Sequence, residues 1–361
     1  MTMTEIWVDK DDYRKTKIVE VETPALVEGE VLISVDKFGL TANNVSYAVS
    51  GKTIGYWGYY PAEDDWGKVP VWAMADIVES KCEGIEAGER IWGFFPMASH
   101  VVLKPGQIKR QTFADMAEHR QNLPLFYNQY QRTEAEPEYL KTLEDERCLL
   151  FPLFATSFIL NDFLEDNDFF EAEQILIGSV SSKTGFGLAS FLTQNEKYKG
   201  QVVGLTSPGN VDFVKALKCC DQILVYGDEA YIGTEKPSAF VDMSGNGELV
   251  KTLHDHLQDN MVQSIGVGAT HWNERRARGD MPGAKPAFFF APAQMDKRDK
   301  EWGEGMLFQK AFAAGAQLAA SIKDIVKVEL IAGPQEVDQI WKDMLDNKVS
   351  ARRGIMASLN S

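Results

Sequence analysis

Short apolar runs broken by glycine and proline dominate the first hundred or so residues; longer helical periods appear only after residue 148. Glu30-Val31-Leu32-Ile33-Ser34-Val35-Asp36 partly alternates and predicts a strand, entered from the acidic turn at Gly29. Phe38 to Val45 leaves that strand, and Val45 to Val49 predicts a short helix. An aromatic loop follows, Tyr56-Trp57-Gly58-Tyr59-Tyr60-Pro61, and Val69 to Ser80 predicts further strand. Gly88 to Pro96 reads as a turn into a strand, and Ser99 to Lys104 as another. Many short strands with such turns point to a small β-barrel. Residues 105–148 are polar, mixed in charge and rich in Gln and Glu, and read as a surface excursion with some helix.

From Leu149 to Leu164 the apolar residues recur at helical spacing. Beyond it, strand-length apolar runs (Ile175 to Ile177, Val202 to Leu205, Gln222 to Tyr226, Ala239 to Met243, Val262 to Val267, Ala287 to Phe290) are interspersed with helix-patterned stretches. These stretches are Leu188 to Gln194, Val211 to Leu217 and Glu248 to Leu257. Such alternation predicts an α/β unit with a parallel, doubly wound sheet. The tail adds a strand (Ile325 to Ile331), a helix (Pro334 to Leu345) and a last strand near Gly354 to Ala357. No internal repeat is present.

A length of 361 residues suits two domains, each able to bury a core. The formal net charge of −16, with no basic block, disfavours nucleic acid and anionic membranes as partners. A local basic site for one phosphate is still compatible with it. The cysteines, Cys82, Cys148, Cys219 and Cys220, show no CxxC pairing, and the adjacent pair is poorly suited to an ordinary disulfide. With scattered histidines, no metal-ligand spacing appears, and the thiols read as reduced. The segment MTMTEIWVDKDD is too polar for a signal peptide, and no run approaches transmembrane length, so the expected location is cytoplasmic.

Candidate chemistry concentrates in Glu173 to Asn210. A strand, a Ser/Gly-rich turn from Gly178 to Gly187, a helix and a second strand form the βαβ unit that binds a dinucleotide. Gly185 and Gly187 lie where the turn feeds the helix, where missing side chains let a pyrophosphate approach backbone N–H groups. The glycine spacing is looser than G-x-G-x-x-G, with Ser181-Ser182-Lys183-Thr184 inserted. A P-loop would need glycine immediately before Lys183, and Ser182 stands there. A glycine turn that binds no nucleotide is the competing reading. The second strand ends in Leu205-Thr206-Ser207-Pro208-Gly209-Asn210, without the carboxylate that holds the NAD ribose. Small hydroxyls and an amide suit a 2′-phosphate, with Lys183 or Lys215 supplying charge, so NADP(H) is the expected cofactor. Thr206-Ser207 also fits turn chemistry alone.

The order of barrel, helix, dinucleotide unit and return to the barrel resembles the medium-chain dehydrogenase/reductase superfamily. Gly29 to Ile33 through Thr41-Ala42-Asn43-Asn44 resembles the opening of its GroES-like domain. Ala87-Gly88-Glu89-Arg90-Ile91-Trp92-Gly93 is similar to its G-D-R-V turn. Cys220 to Tyr226 is similar to G-A-D-x-V-I-D-Y, and Val241-Asp242-Met243-Ser244-Gly245 to its D-x-x-G strand end. More narrowly, Ser181 to Gly185 and Gly204 to Asn210 resemble a quinone-oxidoreductase-like bacterial branch. The resemblance implies a GroES-like catalytic domain over 1–148, a Rossmann NADP-binding domain over 149–310, and a return to the catalytic domain over 311–361. It implies cofactor contacts at Ser181, Ser182, Lys183, Thr184, Gly185, Gly187, Thr206, Ser207, Asn210, Tyr226, Ser244 and Gly266, and a homodimer acting on a small molecule. Zinc-dependent members carry a cysteine where Phe38-Gly39-Leu40-Thr41 stands, a His-Glu pair shortly after and a four-cysteine lobe; this chain has none of them. The implied reaction is therefore zinc-free hydride transfer to a quinone or an α,β-unsaturated carbonyl.

Proton-donor candidates are Tyr47 and the loop residues Tyr56, Tyr59 and Tyr60. Tyr60-Pro61 resembles the tyrosine position of zinc-free enoyl-thioester reductases. Asn43 and Asn44 are candidates for the acceptor oxygen. Each also has a packing or turn reading. His100 fits barrel packing, and Phe288-Phe289-Phe290 a buried strand. His271, beside Trp272 and before Arg275, Arg276 and Arg278, follows Gly266-Val267-Gly268 and reads either as cleft lining or as a solvated basic loop. Two other functions fit: a non-catalytic NADP(H) sensor or scaffold, and an accessory subunit that has lost the cofactor.

Overall fold

The computed structural model describes residues 2–267, 281–289 and 291–360. They form two compact units, Met1–Leu149 with Val328–Ser361, and Leu150–Lys327.

The first unit is built on the strand Val31–Leu40, which is apolar enough to be buried along nearly its whole length. It pairs antiparallel with Pro70–Ser80 on one side. On the other it pairs with His100–Leu103 at its start and Arg353–Ser358 at its end. Register shifts at Leu32/Ile33 and Val35/Lys37 mark bulges, which bend a sheet and increase its twist. The sheet continues through Arg90–Pro96, Gln129–Arg132, Thr112–Asp115 and Pro105–Gly106. A separate small sheet joins Thr16–Glu22, Thr2–Asp9 and Trp66–Gly67.

Residues 105–148 are therefore not a surface excursion: three of the barrel's strands come from them. The segment is polar in sequence because it buries charges in pairs. Arg120 meets Asp115 at 3.0 Å, with both side chains almost fully enclosed, and Arg147 meets Glu136 at 2.5 Å. Phe113 stacks on Tyr130 at 5.2 Å, and the Tyr130 hydroxyl accepts from Arg120 at 3.0 Å.

In the second unit six parallel strands run in the spatial order Gln222–Val225, Gln201–Thr206, Gln174–Gly178, Ser238–Asp242, Met261–Gly266, Ala287–Phe288. This is the doubly wound order 3-2-1-4-5-6, whose reversal point lies between the third and fourth strands of that list. Both strands there are buried at every position, as expected when helices cover both faces. Leu176, Val203, Leu205, Phe240, Leu253 and Met261 are among the residues of one core cluster.

The return to the first unit begins at Val328, not near 311. Helix Met306–Ile322 belongs to the second unit because it packs on helix Phe151–Asp166. Phe312 meets Phe151 edge-on at 5.6 Å, and a side chain added at Gly315 would touch Phe154 at 3.4 Å.

Candidate functional site

At the reversal point, the strand Gln174–Gly178 runs into a turn and then helix Lys183–Gln194. Ser182 caps the helix, its Oγ accepting from the Gly185 amide at 3.1 Å. The helix thus starts five residues before its apolar pattern. Its positive end lies beside Ser181, Ser182, Lys183 and Thr184, as a phosphate site requires.

Gly185 and Gly187 have a packing reason in the fold itself. A Cβ on Gly185 would lie 2.5 Å from the Ser179 carbonyl oxygen, and one on Gly187 would lie 2.6 Å from Ser157 Oγ. They let the turn fold onto itself and let the helix approach helix Phe151–Asp166. Ser157 ties the two helices by donating to the Thr184 carbonyl at 2.8 Å.

Tyr226, from just beyond the Gln222–Val225 strand, reaches across and accepts from the Ser179 amide at 2.9 Å. Burial pushes its phenol up to about 12, so it remains a protonated strut under the turn. At the end of the second strand, Asn210 Nδ2 donates to Ser181 Oγ at 3.1 Å and to Ser207 Oγ at 3.0 Å. This joins the turn to the Thr206–Asn210 segment through small polar groups, with no carboxylate among them. Thr206 departs from expectation: it is fully buried, and its hydroxyl has no hydrogen-bond partner among the described residues. Lys183 keeps some solvent exposure, but the protein crowding its amine pushes its pKa down to about 8.

Ser244 is also committed. Its amide and hydroxyl donate to Asp242 Oδ1 at 2.8 and 2.6 Å, while the Gly245 amide donates to Oδ2 at 3.0 Å. Gly178 must be glycine here, since a Cβ would lie 2.9 Å from Asp242 Oδ1. Asp242 organises this strand end, and its sequence signal is an aspartate closing a strand just before Ser-Gly-Asn-Gly. Gly266 ends its strand and accepts from the Phe289 amide at 2.9 Å. His271, Trp272, Arg275, Arg276, Arg278, Gly268 and Phe290 lie outside the described residues.

In the first unit, Tyr47, Tyr56, Tyr59, Phe94 and Tyr127 form a nest of rings. Tyr47 and Tyr56 lie 4.5 Å apart, and Phe94 and Tyr127 4.7 Å. Tyr47 Oη accepts from Trp72 Nε1 at 3.2 Å, and the Tyr56 and Tyr127 hydroxyls pair at 3.0 Å. Tyr60 donates to the Phe94 carbonyl at 2.5 Å, meets Tyr130 Oη at 2.9 Å, and lies under the Arg120 guanidinium at 4.4 Å. Burial pushes the phenols of Tyr47, Tyr56, Tyr59 and Tyr60 upward, away from the range in which an acid catalyst works near neutral pH. Asn44 is engaged as a helix cap: Oδ1 accepts from the Thr41 amide at 2.8 Å and Nδ2 donates to the Pro70 carbonyl at 2.9 Å. The acceptor role expected for Asn44 and the acid role expected for Tyr60 therefore meet side chains already occupied inside their own unit.

A shallow concavity of roughly 840 Å³ includes Phe169, Tyr198, Lys199 and Asp221 in its lining. It adjoins the leading ends of the parallel strands, opposite the turn, whereas ligands of such sheets bind beyond the carboxyl ends. Among the described residues, no group of three or more His, Cys, Asp and Glu side chains is arranged to hold a metal ion. No helix among them is long and apolar enough to cross a membrane.

A family profile described as "Protein of unknown function (DUF2855)" matches residues 38–350. No curated protein matches the chain. Among solved structures, CurA of Vibrio vulnificus in complex with NADPH is 12% identical, with 99% of each chain covered and a TM-score of 0.66. The quinone oxidoreductase of Coxiella burnetii is 13% identical over 99% of each chain, at 0.55. The yhdH oxidoreductase of Salmonella enterica in complex with NADP is 12% identical over 99% of each chain, at 0.54. Similarity at this level of identity shows a shared fold, a GroES-like barrel with a Rossmann unit.

Proposed function

The chain belongs to the family described as "Protein of unknown function (DUF2855)", and from that premise we propose that it is an NADPH-dependent, zinc-free reductase. Its acceptor is a quinone or an α,β-unsaturated carbonyl. The observation that carries the cofactor reading is the carboxylate-free group Ser181, Ser207 and Asn210, hydrogen-bonded together beside Lys183. A carboxylate here would repel a 2′-phosphate, whereas hydroxyls, an amide and an amine attract it. The bound nicotinamide supplies the hydride. Ser181, Ser182 and Thr184 hold the pyrophosphate at the helix's positive end, Tyr226 keeps the turn in place, and Gly266 borders the nicotinamide end. Tyr47 and the Tyr56–Tyr127 pair, protonated at working pH, donate hydrogen bonds to the acceptor's oxygen, and the enolate or phenolate left by hydride addition takes its proton from water. The names of similar solved structures, a quinone oxidoreductase and NADP(H) complexes, support this reading. Cytoplasmic location and homodimerisation belong to the same proposal; light scattering of the purified protein tests the latter.

Titration with NADPH and NADH, followed by cofactor fluorescence and thermal shift, is the test. A ligand at one hundred times its Kd stabilises the folded chain by about 2.7 kcal/mol, so preference is easily read. NADPH preference followed by oxidation of NADPH on adding enones or quinones is expected. The commitments of Tyr60 and Asn44 favour a second reading, a nucleotide-binding sensor without turnover; NADPH binding with no oxidation across an acceptor panel would select it. Silence from both nucleotides would end both readings.

A further inference from the structure

Cys219 and Cys220 follow helix Val211–Leu217, whose last turn closes on Lys218 in the left-handed region (φ 53°). Their sulfurs lie 3.9 Å apart. The segment is pinned on both sides: Thr193 donates to the Cys219 carbonyl at 3.1 Å, and the Asp221 carboxylate accepts from the Val202 amide at 2.7 Å. Cys219 is buried and Cys220 half-buried. Gly204 accommodates the pair, since a Cβ there would lie 2.8 Å from Cys220 Sγ. No role in the proposed reduction uses either sulfur.

We propose that Cys219 and Cys220 form a modification site, a dithiol that a hydroperoxide closes reversibly into a disulfide between adjacent residues. The first proton comes off the pair as a unit; a hydrogen bond from Cys220 holds the Cys219 thiol low, while that bond and burial push Cys220 up, so the charge rests on Cys219. Transfer of the remaining proton to Cys219 along the S–H···S contact moves the charge to the half-buried Cys220, whose thiolate attacks the hydroperoxide. The O–O bond breaks, the alcohol or water leaves with one proton, and Cys220 carries a sulfenic acid. Cys219 then attacks that sulfur, the S–S bond forms, the S–O bond breaks, and water leaves with the second proton. The two thiols have lost two electrons and two protons, and the hydroperoxide has gained them. Adjacent Cα atoms are about 3.8 Å apart, inside the ~4.4 Å minimum of ordinary disulfides. The ring is therefore strained and readily reduced, as a reversible mark requires.

The full chain is treated with hydrogen peroxide, alkylated, digested and weighed, with and without dithiothreitol before alkylation. The peptide carrying both cysteines is expected two hydrogens lighter and unalkylated, and to recover both alkyl groups after reduction. In Cys219→Ser, oxidised Cys220 is expected to stop at a sulfenic acid trapped by dimedone. The proposal is overturned if both cysteines stay alkylatable while Cys82 oxidises, or if Cys220 goes to sulfinic acid in the unaltered chain. Linkage of either sulfur to Cys82, to Cys148 or to a second chain overturns it as well.

Discussion

The turn at the reversal point and the tyrosine nest both gather polar groups, but they spend them differently. Beside the nest, the hydroxyl of Tyr60 and the amide of Asn44 are spent on carbonyls within their own unit, under heavy burial. At the turn, half-buried Ser207 and Asn210 and buried Ser181 form a short hydrogen-bonded chain of small polar groups, beside a helix end that favours anions. The lesson is that a buried, saturated polar cluster specifies a fold, while a partly exposed, lightly bonded one is available to a ligand.

Four measurements would break or sharpen that contrast. The largest effect belongs to the barrel. Asp115→Ala leaves the Arg120 guanidinium enclosed without its partner and should cost about 3–5 kcal/mol in a denaturant melt. Nucleotide affinity of the folded fraction should not change; a melt within about 1 kcal/mol of the parent would deny the pair its structural weight. Next, Lys183→Gln should weaken NADPH binding by about 1.5–3 kcal/mol, the worth of a hydrogen bond to a charged group, and leave NADH binding untouched. Equal losses for both nucleotides would remove Lys183 from the 2′-phosphate. Gly185→Ala, whose new methyl meets the Ser179 oxygen at 2.5 Å, should cost about 1–3 kcal/mol of stability and weaken both nucleotides alike, read by melt and fluorescence.

The smallest effect is one of pH. Burial holds the Lys183 amine near 8, so its charge is present below that pH and fades above it. NADPH affinity should fall about tenfold between pH 7 and 9, with NADH flat. Folding shifts the opposite way: a lysine lowered in the folded state penalises folding at neutral pH, and the penalty is relieved as pH rises from about 8 toward ~10.4. A flat NADPH profile in fluorescence titrations would separate Lys183 from the ligand.

The doubly wound unit was legible because its signals are local. Helix Val211–Leu217 matches the pattern to the residue, as does Pro334–Leu345 of the first unit, with proline in its first turn. Helix Lys183–Gln194 starts five residues before its apolar pattern, because Gly185 and Gly187 look like breakers in sequence while the packing against Ser179 and Ser157 requires them. Residues 105–148 hide their strands for a related reason: burial of Arg120 and Arg147 is visible only through partners supplied by the fold. Of the site, the serines and Asn210 were readable as a carboxylate-free strand end. The contact of Tyr226 with the Ser179 amide spans a sequence separation that periodicity does not encode. The burial of Thr206 follows from its being the last residue of a buried strand, one position earlier than the surface begins.

The antiparallel pairing of Phe38 with Ala357 joins residues roughly 320 positions apart, which sets an order on biosynthesis. At about 5–20 residues per second, strand Val31–Leu40 waits on the order of 16–64 s for one of its neighbours to be translated. The second unit, contiguous from Leu150 to Lys327, meets no such delay and is free to fold while the barrel is still missing a strand. A nascent chain halted before Arg353 would expose an apolar sheet edge to every other unfinished chain nearby, making this seam the place where a chaperone has the most to protect.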